Sequence, residues 1–185
     1  MIDYNELELG GVLLIQPRVF ADSRGYFFES FNEAVFRLGT GLNVTFVQDN
    51  ESMSNKGTVR GLHFQVPPKA QAKLIRVVQG AILDVVVDLR KSSPTFGRHA
   101  MVELSGENKN QLFVPEGFAH GFIVMQDNTI VNYKCNQYYS PDAERCLSIF
   151  DHTLNIQWPL SSSEMVISEK DQRGLDWSAC NDIFF

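Results

Sequence analysis

A chain of 185 residues, 44% hydrophobic and 21% charged, carries enough apolar material for one substantial core, and its length favours a single domain over residues 1–185. The formal net charge of −6 argues against a general nucleic-acid binder but leaves room for a local basic pocket that captures a small anion. Cys135, Cys146 and Cys180 show no CxxC spacing, and no segment resembles a leader or a membrane span, so reduced thiols, a cytoplasmic location and no membrane partner are expected.

In chain order, residues 11–15 read as a first strand closed by Pro17, which cannot donate to a ladder. Residues 22–25 form a turn and 26–31 a strand. An Asn cap and a terminal glycine then predict one short helix over 32–39. Strand-like runs follow at 45–50, 58–65, 73–78, 82–89, 98–104, 111–114, 121–125 and 129–135, separated by turn residues. That close spacing is the pattern of an all-β, double-stranded jelly roll. After Pro141 the pattern weakens, and residues 161–171 are expected to pack as a loop or short-helix flank against the roll.

Alternation assigns faces within these runs. Gly61, His63 and Gln65 share one face, with Leu62 and Phe64 on the other; Lys73 shares its face with Ile75 and Val77, and Tyr133 follows Val131. In 83–89 the odd positions are apolar while Asp84 and Asp88 share the opposite face, so one face is expected in the core and the other is partly polar. If both chemical faces line the inside of a barrel, a base and a cation meet in a walled pocket suited to proton transfer.

His63 and the turn-borne His120 of Pro115-Glu116-Gly117-Phe118-Ala119-His120-Gly121-Phe122 resemble the paired motifs of the cupin superfamily. Metal-binding members place a second histidine two residues after the first, where this chain has Gln65, and residues 67–71 offer no acidic ligand. Two histidines without a third protein ligand make a poor transition-metal site, so neither a metal nor another cofactor is expected.

The ordered motifs Pro17-Arg18-Val19-Phe20, Asp22-x-Arg24-Gly25-x-Phe27-x-Glu29, Val47-Gln48-Asp49-Asn50, Arg60-Gly61-Leu62-His63-Phe64-Gln65, Asp88-Leu89-Arg90, Pro115-x-Gly117-Phe118-Ala119-His120, Tyr133-Lys134 and Ser168-Glu169-Lys170-Asp171 resemble the dTDP-4-dehydrorhamnose 3,5-epimerase family. The resemblance implies a metal-free, cupin-like homodimer that converts dTDP-4-dehydro-6-deoxy-D-glucose to dTDP-4-dehydro-L-rhamnose, on the route to the dTDP-L-rhamnose of bacterial surface polysaccharides. It also implies His63 as base, Tyr133 as acid, Lys73 at the ketone oxygen and Asp171 as the partner of the histidine. Arg24, Arg60 and Lys170 match basic substrate contacts, and Tyr139 matches the aromatic that stacks on the thymine. Glu29, Gln48, Asp49, Asn50, His120 and Glu144 match further ligand-contacting positions. Arginines crossing a subunit boundary are a feature of the family. Departures fall at Ala72, where relatives commonly carry Gly, and at Phe150-Asp151-His152-Thr153, where they commonly carry Trp-Asn-Asp-Pro.

The chemistry explains these residue types. C3 and C5 both flank the C4 ketone, so removal of either proton gives an enolate with its charge on the C4 oxygen. Inversion needs a base on one face of the sugar and an acid on the other. An imidazole suits abstraction, a phenol stays protonated at neutral pH, and a fixed cation stabilises the oxyanion. Two other readings fit the residues: a single-carbon epimerase on the same substrate, and a non-catalytic sugar-nucleotide binding module, for which an opposed acid and base would have no use.

Overall fold

Alternation along the central strands sorts their side chains onto two faces, and in this protein both faces are covered. The computed structural model describes residues 2–180 and 182–185. The strands are β1 (Asp3–Glu6), β2 (Leu13–Gln16), β3 (Phe20–Asp22), β4 (Gly25–Phe27), β5 (Gln48–Ser54), β6 (Thr58–Gln65), β7 (Lys73–Gln79), β8 (Ala81–Asp88), β9 (His99–Ser105), β10 (Gln111–Val114), β11 (Phe118–Val124), β12 (Thr129–Cys135), β13 (Glu144–Cys146) and β14 (Val166–Ile167). Helix α1 (Glu33–Thr40) follows β4, and α2 (Glu169–Gln172) follows β14. One sheet runs β1-β2-β10-β7-β12-β5 and the other β13-β6-β11-β8-β9, with β14 added in parallel beside β6. The remaining pairings are antiparallel, giving the expected jelly roll.

Ile75, Val77, Ile82, Val86, Leu112, Phe122 and Val131 fill the space between the sheets. The outer face of the first sheet, through Ile15, Leu74 and Phe113, packs under Phe36 of α1 and under Phe31 and Phe46. The outer face of the second, through Val59, Leu62, Val85, Val87 and Ile123, is covered by Leu147, Ile149, Leu154, Ile156 and Phe184 of the C-terminal flank. The flank is tied down by Asp151, whose carboxylate accepts from the amides of Thr153, Leu154 and Trp177. That cap falls within the departure at 150–153. Among the described residues no helix is long and apolar enough to cross a membrane.

Several boundaries differ from expectation for identifiable reasons. The helix ends on Gly41 in the left-handed region (φ +72°) rather than on Gly39, and its Asn32 cap accepts from the amides of Ala34 and Val35. Residues 28–31 are not strand, because Gly25–Phe27 turns back onto Phe20–Asp22 as a separate hairpin. Strand β8 is buried on both sides: its odd positions lie under the C-terminal flank, while Asp84 points between the sheets. The partly polar face is therefore an interior one.

The approach of β6 to β11 depends on Gly61. Its φ is +118°, and a Cβ there would lie 2.6 Å from the Gly121 Cα and 2.7 Å from the His120 carbonyl oxygen, at the register shift between His120 and Phe122. Gly61→Ala should combine an unfavourable backbone region with overpacking against main chain, each typically about 1–3 kcal/mol. A loss of roughly 2–6 kcal/mol in denaturant unfolding is expected; a variant as stable as the parent would show that the two strands can separate without penalty.

Candidate active site

The end of the barrel where β6, β7, β12 and β13 converge opens into a cavity of about 290 Å³ lined by Gln48, Asn50, His63, Phe64, Gln65, Gln71, Lys73, Tyr133, Cys135, Tyr139 and Glu144. Register explains the gathering. Cys135 is paired with Lys73 and Gln48, and Tyr133 with Asn50; directly opposed residues share a face, so the first sheet presents all five inward. The second sheet contributes His63 from β6 and Glu144 from β13, the latter opposite Gln65. His63 and Tyr133 therefore reach the cavity from facing sheets.

His63 is held from behind. Its Nε2 lies 2.6 Å from Asp171 Oδ1, and the Gly61 amide donates to Asp171 Oδ2 at 3.4 Å. The carboxylate stands in the first turn of α2, whose Ser168 cap accepts from the Asp171 amide at 3.1 Å. The pairing of β14 with Thr58 and Val59 sets that turn beside β6. Burial pushes the Asp171 carboxyl up, but the hydrogen bonds from His63 and Gly61 outweigh it and hold the group below its ordinary value.

Lys73 is 9% exposed, and its Nζ donates a long hydrogen bond of 3.5 Å to the His63 carbonyl. Burial drives the ammonium down from its ordinary value, opposed by Cys135, Asp84 and Glu144. Burial also pushes the Tyr133 phenol up, so it keeps its proton throughout the neutral range. At the mouth, Glu144 Oε2 accepts from the Tyr139 hydroxyl at 2.7 Å and from Lys170 Nζ at 2.5 Å, while the Tyr139 amide donates to Gln48 Oε1.

Gln65 is employed structurally. Its amide donates to the Lys69 and Tyr138 carbonyls and accepts from Ser140 N, fixing the loops around the cavity.

Other expected residues are not among those that line this cavity. Asp49 alternates to the outer face of its sheet and pairs with Lys134. His120 is buried within the barrel, directly opposite His63 in the β6–β11 register, its Nε2 2.9 Å from Asp84 Oδ2. Arg60 is exposed and donates to Ser54 Oγ. Glu29 accepts from Asn32. Arg24 sits at the tip of the β3–β4 hairpin, paired with Asp22, beside the exposed rings of Phe20, Tyr26 and Phe27. Sequence reasoning missed Cys135 and Gln71 as lining groups, although Cys135 was within reach of alternation from Tyr133.

A family model described as dTDP-4-dehydrorhamnose 3,5-epimerase matches residues 6–178. The protein of that name from Shigella flexneri is 52% identical over 167 residues, 90% of this chain and 91% of its own. The one from Methanothermobacter thermautotrophicus is 52% identical over 89% of this chain and 88% of its own. A crystal structure of the Legionella pneumophila dTDP-6-deoxy-D-glucose-3,5-epimerase in complex with dTDP-4-keto-L-rhamnose superposes with a TM-score of 0.95 at 38% identity, covering 100% of this chain and 97% of that one.

Proposed function

This chain belongs to the dTDP-4-dehydrorhamnose 3,5-epimerase family, and from that premise we propose that it inverts C3 and C5 of dTDP-4-dehydro-6-deoxy-D-glucose in the cytoplasm, giving dTDP-4-dehydro-L-rhamnose. The observation that carries the reading is the arrival of His63 and Tyr133 in one cavity from facing sheets. A sugar ring lying between them has a base on one face and an acid on the other, which is what inversion requires.

Asp171 accepts the Nε2 proton and so leaves the Nδ1 lone pair for the substrate. His63 removes the proton from C3 or C5, and the electron pair moves to the C4 oxygen, where the Lys73 ammonium opposes the developing charge. The Tyr133 phenol then delivers a proton to the opposite face of the carbon, and solvent exchange resets both groups. The same enolate geometry serves either carbon once the sugar has turned over.

Tyr139, at the mouth and half exposed, offers a ring for the thymine, and Lys170 a cation for the pyrophosphate. Arg24 stands outside this cavity on a hairpin whose exposed aromatic side chains would be covered by a second copy. We therefore assign the active form as a homodimer in which Arg24 serves the partner's site. Exposed Phe20, Tyr26 and Phe27 support that assignment.

Incubation with the substrate in deuterated water, followed by NMR, tests the reading together with Tyr133→Phe. The parent should incorporate deuterium at both C3 and C5 and yield the L-sugar. The variant should still exchange from the His63 side while losing most inversion, on the order of 10²–10⁴-fold for an acid catalyst. Label at one carbon would establish a single-carbon epimerase, binding without exchange a non-catalytic module, and full inversion by Tyr133→Phe a different proton donor.

A further inference from the structure

Behind the imidazole, on the side away from the cavity, three metal-ligating atoms come together that the pattern of histidines did not suggest. Cys146 is directly opposite His63 on β13. The neighbouring residues Leu62 and Leu147 exchange both backbone hydrogen bonds, which makes His63 and Cys146 a non-hydrogen-bonded pair, the kind whose side chains lie closer. Cys146 Sγ stands 3.9 Å from Asp171 Oδ1, His63 Nε2 stands 2.6 Å from the same oxygen, and the three ligand atoms all lie within 4.8 Å of one another.

We propose that His63, Asp171 and Cys146 form an inhibitory site for a thiophilic divalent cation of the zinc class, with water in the fourth position. One nitrogen, one oxygen and one sulfur match the donors zinc favours. Around a tetrahedral zinc with bonds of 2.0–2.3 Å such donors lie about 3.3–3.8 Å apart, so the imidazole and carboxylate need to open by only about 1 Å. His63 is partly exposed, its side chain at 28%, and α2 is a single turn, so both can yield that distance. On binding, the Cys146 thiol loses its proton to solvent and the thiolate enters the coordination sphere.

The consequence for turnover rests on the proposed role of His63. Metal on Nε2 confines the ring proton to Nδ1 and removes the lone pair that takes the substrate proton. It also draws Asp171 away from its partner. The cation therefore lowers kcat without displacing dTDP from the cavity. This site differs from the one the cupin pattern brings to mind, because it uses the far edge of the imidazole and none of His120 or Gln65.

The test uses full-length metal-free protein with Zn²⁺ and Co²⁺ as probes, and the variants Cys146→Ser and Cys146→Ala. Cobalt should bind at one ion per chain with a sulfur-to-metal charge-transfer absorption that both variants lack; the other thiols, Cys135 and Cys180, are unaltered in them. Zinc should abolish turnover, a chelator should restore it, and dTDP affinity should stay unchanged. Both variants should keep metal-free turnover yet need at least about 100-fold more zinc for inhibition, since even outer-sphere partners of a metal ligand contribute about 10–100-fold in affinity. Absence of the cobalt–sulfur band, or variants as zinc-sensitive as the parent, would overturn the site. A chain that binds cobalt through Cys146 but has no epimerase activity would leave the site standing and overturn the functional reading instead.

Discussion

His63→Asn is expected to lower kcat/KM by about 10²–10⁴-fold, the range typical of a lost general base, while dTDP binds as before. In the proposed reaction the imidazole meets the substrate only where a proton moves, and the nucleotide contacts proposed above lie with Tyr139 and Lys170 at the mouth. Asparagine keeps much of the volume, and Asp171 retains the Gly61 amide as a partner, so the carboxylate is not stranded. Steady-state kinetics together with calorimetric titration of dTDP separate the two effects. If turnover persisted within a few-fold of the parent, the base would have to be sought elsewhere along the cavity wall. If dTDP affinity collapsed with it, His63 would be a binding group.

The parts of this site that were legible from sequence are those fixed by alternation within one strand. Ile75 and Val77 are apolar, so Lys73 had to enter the interior with them, and Val131 carried Tyr133 inward in the same way. Alternation states which face a residue takes but not which strand lies opposite. Strand β13, three residues long and mostly polar, carries no local signal, yet its register places Cys146 beside His63 and Glu144 beside Gln65. Strand β1 likewise reads Asp-Tyr-Asn-Glu and is a strand because β2 offers an edge. In each case pairing across many residues decides the structure, where local propensity is a weak guide.

Polarity misled in the other direction at β8. Asp84 and Asp88 suggested a half-wet face, but both are fully buried, Asp84 against His120 and Asp88 against Arg90, Ser93 and Thr95. Buried acids with partners can sit among apolar side chains without solvent. The partners come from β11 and from the loop after β8, so nothing in the strand itself announces them. Arg24 poses a related problem: its hairpin pairs locally, and in the proposed dimer the surface that its exposed aromatics would meet belongs to the second copy.

Lys73→Met, which keeps most of the stem and removes the charge, should lower kcat by about 10²–10³-fold, the size of effect seen when one preorganised oxyanion donor is lost. Lys73 is almost fully buried, and among the described residues its ammonium makes one long hydrogen bond, at 3.5 Å to the His63 carbonyl. Such an ammonium has little to do in the resting protein and much to gain from a negative oxygen in the cavity. Because the enolate charge appears only as the proton leaves, the loss should fall on kcat and leave dTDP affinity nearly intact. The opposite split, weak dTDP binding with normal turnover at saturation, would make Lys73 a phosphate ligand. The oxyanion role would then have to pass to His120, whose Nε2 is already committed to Asp84 and which could act only through Nδ1. Repeating the measurement in His120→Asn would decide the point: that variant should leave kcat largely unaltered if Lys73 carries the charge, and should lose the 10²-fold or more if His120 does.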